Sequence, residues 1–84
     1  MAYVYILQTN KYTYYVGSTD NIEKRINDHC SGKVRSTRDR LPVTLVFKEY
    51  WPTKSEAQKK EYKIKRWKSR RMIEKLIFWY SVQK

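Results

Sequence analysis

Apolar positions recur along the chain first with a period of two and later with a period near 3.6. Residues 3–7 and 13–16 are rich in aromatic and β-branched side chains and are separated by polar residues, a pattern that predicts two antiparallel strands. Alternation turns Val4, Ile6 and Val16 toward a core and leaves Tyr5 and Tyr15 together on the other face. Gly17 is read as closing the second strand, through close packing or a positive φ. Ser18, Thr19 and Asp20 follow as candidate N-caps, with Asp20 and Glu23 spaced as a capping-box variant. A helix is predicted over about residues 21–30, with Ile22, Ile26 and Cys30 as its buried stripe and Arg25 and His29, four apart, along one edge.

Residues 31–41 carry Gly32, Lys33, Arg35, Arg38 and Arg40 with hardly an apolar side chain, the composition of a solvated, mobile loop able to touch phosphate. Beyond Pro42, Val43, Leu45 and Phe47 alternate with Thr44, Val46 and Lys48, predicting a third strand packed on one face and ended by Pro52. Ser55 and Gln58 form a capping-box pattern, and the good helix formers that follow run to about residue 67 with Ala57, Ile64 and Trp67 inward. Met72, Ile73, Leu76, Ile77 and Tyr80 predict a last amphipathic helix from about residue 70. The expected fold is α+β, a small three-stranded antiparallel sheet flanked by three helices in the order β-β-α-β-α-α. No repeat or linker divides it, so one domain over residues 1–84 is expected.

Charge changes the picture from fold to partner. Nineteen Lys and Arg against eight Asp and Glu give a formal net charge of +11, which calls for a polyanion. Without a long apolar run, a membrane is the poorer match and nucleic acid the better one. Lys60, Lys63, Lys65 and Arg66 on the flank of the second helix, with Lys33, Arg35 and Arg38 in the loop, are candidate phosphate contacts. Cys30 is the one cysteine and His29 the one histidine, so neither a disulfide framework nor a structural zinc site is expected. With no basic leader in the first eight residues, a cytoplasmic address follows.

Glu61 is physically odd, because helical spacing sets it between Ala57 and Ile64 at the edge of an apolar stripe. It either pairs with a nearby Lys or holds a cation. Tyr3-Val4-Tyr5, Tyr15-Val16-Gly17, Arg25 with His29, and Glu61 resemble, in order and spacing, the motifs of the GIY-YIG nucleases. Among these the chain is most similar to short, free-standing bacterial members, and it also resembles the nuclease domain of DNA-repair excision endonucleases. It departs from the pattern at Tyr3, where the family name has Gly, and at Ser18, where excision-repair members carry Lys.

The resemblance implies a metal-dependent endonuclease acting on nucleic acid, DNA before RNA. Tyr5 and Tyr15 would line the site, with Tyr5 activating the attacking water. Arg25 would stabilise developing charge, and His29 would accept a proton or orient phosphate. Glu61 would hold one Mg²⁺, or Mn²⁺, that keeps most of its waters. The open alternative is a non-catalytic basic nucleic-acid-binding module in which Trp67 or tyrosines stack on unpaired bases. A basic protein-interaction domain is a more distant third.

Overall fold

A computed structural model describes residues 1–83. Strands β1 (Ala2–Gln8), β2 (Tyr14–Thr19) and β3 (Thr44–Trp51) and helices α1 (Ile22–Cys30), α2 (Lys54–Arg66) and α3 (Arg70–Val82) follow the expected α+β order. The sheet is antiparallel with spatial order β2-β1-β3, so β1 is central and hydrogen-bonded on both sides.

One face of the sheet carries the apolar core. Val4, Ile6, Val16 and Phe47 pack there against Ala57 and Ile64 of α2, all buried, while Ile73, Leu76, Ile77 and Tyr80 of α3 and Trp67 close the edge half-buried. Phe47 meets Tyr80 edge-on with ring centroids 5.4 Å apart. The inward stripes of α2 and α3 thus fall where helical periodicity puts them, except that Met72 is exposed.

β2 does not stop at Gly17. It runs to Thr19 because β1 still offers pairing partners, Tyr5 opposite Gly17, Val4 opposite Ser18 and Tyr3 opposite Thr19. The caps shift accordingly: Asn21 caps α1 by accepting from the Lys24 amide. Thr53, not Ser55, caps α2, accepting from the Glu56 amide while its hydroxyl donates to the Glu56 carboxylate.

Simple alternation fails in β3. Ile6 pairs with Phe47 but Leu7 with Leu45, so Val46 is an extra residue in a bulge. The extra residue brings both Val46 and Phe47 to the core and turns Leu45 to the opposite face, where it is exposed. The buried member of α1 is His29, whereas Ile22 and Ile26 are half-buried and Cys30 is exposed. His29 docks edge-on to the rings of Tyr5 and Tyr15, with centroids at 5.8 and 5.0 Å, and the next residue is turned away by 100°.

The segment 31–41 is anchored rather than free. Val34 and Thr37 are buried, Arg38–Arg40 form a 3-10 turn, and the Asn10 amide donates to Arg40 O (3.0 Å) while Asn10 Nδ2 donates to Leu41 O (2.6 Å). Its charges dominate composition, but two inserted side chains decide its structure. Among the described residues, no helix is long and apolar enough to cross a membrane.

Candidate active site

The tyrosine face of the sheet is packed by polar groups. Tyr5 lies across β2 at Gly17, where a Cβ would stand 2.6 Å from the phenolic oxygen and 2.7 Å from Cζ. Gly17 does not take a positive φ, so its role is space for the Tyr5 ring. Tyr15 lies alongside with its centroid 6.3 Å from that of Tyr5.

α1 brings Arg25 and His29 over these rings. Arg25 Nε donates to Tyr5 Oη at 3.4 Å, and His29 Nε2 lies 3.1 Å from the same oxygen. On the far side of the imidazole, Nδ1 is 2.8 Å from Thr37 Oγ1. Tyr5, His29 and Thr37 are 1%, 0% and 1% exposed, so these contacts are made out of water.

Burial sets the protonation states. Desolvation, followed by the neighbouring Arg25 charge, lowers His29 to a pKa of about 4, so the ring is neutral near pH 7. Burial also pushes the Tyr5 phenol above its ordinary value of 10.0, against the opposing hydrogen bond from Arg25. That same bond to Tyr5 raises Arg25 and keeps it charged. Burial thus holds the phenol proton on Tyr5 and disfavours a proton on His29. His29 is therefore a poor proton acceptor for Tyr5, and with both ring nitrogens engaged inside the protein it is not placed against a phosphate.

Glu61 projects from α2 with its side chain 13% exposed. Ser18 Oγ donates to one carboxylate oxygen at 2.6 Å and Lys65 Nζ donates to the other at 2.7 Å. The pairing with lysine foreseen from the sequence is thus present, but the carboxylate also borders a cavity of about 470 Å³ lying across edge strand β2 between α1 and α2. Tyr5, Tyr15, Arg25 and Glu61 all line it, together with Ser18 and Lys54. His29 stands behind Tyr5 as a buried support.

The basic residues divide differently. Lys33, Arg35 and Arg38 do not line this cavity, and Lys60 reaches Glu49 of β3 at 4.0 Å instead. Lys63, Lys65 and Arg66 border a neighbouring depression with Tyr62 and Trp67. The cleft's lysines, Lys24 and Lys54, and the buried Thr37 were missed by sequence reasoning, and Ser18 was noted there only as a departure from the motif, not as a partner of Glu61. Ser18 was legible only if β2 ran past Gly17, and Thr37 carried no signal within a charge-rich loop.

This arrangement holds a phenol, a fixed guanidinium and a carboxylate around one water-accessible space, with lysines at its rim. It can bind an oxyanion and move a proton beside it. Comparison with known proteins bears on what that oxyanion is. Residues 1–75 match the model of the GIY-YIG catalytic domain. The chain is 48% identical over 67 residues to a UPF0213 protein of Clostridium perfringens, covering 79% of this chain and 72% of that one. It is 41% identical over 66 residues to a UPF0213 protein of Halobacterium salinarum, covering 77% and 86%. Among solved structures, it is similar to the solution NMR structure of the UPF0213 protein BH0048 from Bacillus halodurans, with a TM-score of 0.59, 42% identity, and 92% and 83% of the two chains covered.

Proposed function

The chain belongs to the GIY-YIG catalytic-domain family, and from that premise we propose that it is a metal-dependent endonuclease hydrolysing the phosphodiester bonds of DNA. The observation that carries the reading is convergence: β1, α1 and α2 bring Tyr5, Arg25 and Glu61 to one open cleft in a chain of net charge +11.

Arg25 and Lys54 attract the phosphate, and the Arg25 guanidinium, already oriented by its bond to Tyr5, meets charge that develops on the non-bridging oxygens. Tyr5 first releases its phenolic proton to solvent in the cleft; water then attacks phosphorus as the bond to the leaving oxygen breaks, and the water proton passes to the ionised Tyr5 Oη. Burial opposes that ionisation, and the Arg25 N–H directed at Oη works against burial. Tyr15 packs beside Tyr5 and shapes the same wall.

GIY-YIG nucleases typically use a divalent metal, and the donor set fits one kind of site. Among the described residues there is no cluster of three or more His, Cys, Asp or Glu, which argues against a closed protein cage. A lone carboxylate beside an open cavity fits Mg²⁺ or Mn²⁺ retaining most of its water. Glu61 would hold the ion, with Ser18 steadying one oxygen and the half-exposed Lys65 side chain pairing with the other. Bound there, the ion would supply charge neutralisation for the leaving oxygen.

A second reading, a non-catalytic nucleic-acid-binding module, draws on the Tyr62 ring, 59% exposed between Lys59, Lys63 and Arg66. Incubation of purified protein with supercoiled plasmid, single-stranded DNA and structured RNA in Mg²⁺ or Mn²⁺ separates the two. The nuclease reading expects cuts that EDTA stops and that Glu61→Gln reduces about 1,000-fold or more with DNA binding retained. Salt-sensitive binding without cleavage of any substrate would favour the binding module.

A further inference from the structure

Thr37 enters none of the steps above, yet it is the residue on which His29 rests. It comes from the segment between α1 and β3, and its hydroxyl is sealed from solvent with His29 Nδ1 as its hydrogen-bond partner at 2.8 Å. A buried hydroxyl proton needs an acceptor, and among the described residues Nδ1 is the hydrogen-bond partner it has. If Thr37 donates, Nδ1 carries no proton. A neutral imidazole must then carry its proton on Nε2.

Nε2 faces Tyr5 Oη at 3.1 Å, so in this tautomer it donates to the phenolic oxygen, as Arg25 Nε does at 3.4 Å. Two N–H groups converge on Oη from behind. The phenol's own O–H is left to point into the cleft that Tyr5 lines. The opposite tautomer would strand the Thr37 proton and draw the Tyr5 proton inward onto Nε2, away from any attacking water. We propose that Thr37 is a positioning residue whose hydroxyl fixes His29 as a hydrogen-bond donor to Tyr5, so that Oη gives up its own proton into the cleft and, held by two N–H groups as the anion, takes one from the attacking water. The rate effect rests on the nuclease reading, whereas the tautomer does not.

The test reads both. In ¹⁵N-labelled protein near pH 7, imidazole nitrogen shifts distinguish protonated from unprotonated positions, and wild type is expected to show His29 protonated on Nε2 alone. Thr37→Val, which removes the hydroxyl and keeps the shape, is expected to mix or invert the tautomer and slow single-turnover cleavage roughly 10- to 100-fold with little change in substrate affinity. Thr37→Ser restores both, which a purely structural role for the Thr37 methyl would not produce. Wild type protonated on Nδ1, or Thr37→Val retaining the Nε2 proton and the full rate, overturns the inference; the wild-type spectrum decides even where the Val variant does not fold. Wild type with the Nε2 proton but without cleavage overturns the nuclease reading and leaves the tautomer assignment standing.

Discussion

The two faces of the sheet bury side chains equally well by different physics. On one, Val4, Ile6, Val16 and Phe47 meet Ala57 and Ile64, and the stabilising effect follows apolar area with little regard to direction. On the other, Tyr5, His29 and Thr37 are just as inaccessible, but each holds its polar atoms in directed hydrogen bonds. The first face sets whether the chain folds. The second sets where an oxygen and a proton sit beside the cleft. Edge strand β2 joins them, with Gly17 on the Tyr5 side and Ser18 reaching Glu61.

Breaking the apolar face should have the largest effect on stability. Phe47→Ala removes the core ring that meets Tyr80 and should cost about 3–5 kcal/mol, read from urea unfolding. In so small a chain this is a large share of the whole. Gly17→Ala tests the other face: the added Cβ must displace Tyr5 Oη and Cζ, so cleavage should fall by about 100-fold or more while the unfolding midpoint moves less than for Phe47→Ala. Cleavage unchanged in Gly17→Ala would mean that the position of Tyr5 is irrelevant.

The smallest effect concerns pH. The unfolded chain takes up a proton on His29 near its ordinary value of 6.5, whereas the folded chain refuses it until about 4. Stability from this residue is therefore fully present above about pH 6.5 and lost as pH falls toward about 4. Unfolding free energies compared at about pH 7 and about pH 5 should show the decline, and His29→Gln should flatten it.

This contrast also explains what was legible in the chain. Periodicity finds apolar stripes, so Val4, Ile6, Ala57 and Ile64 were placed correctly, and the β-β-α-β-α-α order with them. Cys30 was placed in the core because periodicity cannot see that tyrosine rings offer His29 a better socket. Leu45 was misplaced by a single extra residue at Val46, which reverses alternation without leaving a mark in composition. In the site, residue types already odd for their position, above all Glu61 on an apolar stripe, pointed to the cleft. Thr37, Ser18 and Lys54 did not, since each matters only through a contact that tertiary structure creates.

A phenolic oxygen held at the cleft by a polar, buried scaffold is the centre of the proposed chemistry, and Tyr5→Phe tests it most directly because the ring stays and only that oxygen leaves. Single-turnover DNA cleavage in Mg²⁺ should fall about 100- to 10,000-fold, with DNA affinity and melting temperature close to those of wild type. Cleavage by Tyr5→Phe at the wild-type rate would contradict it.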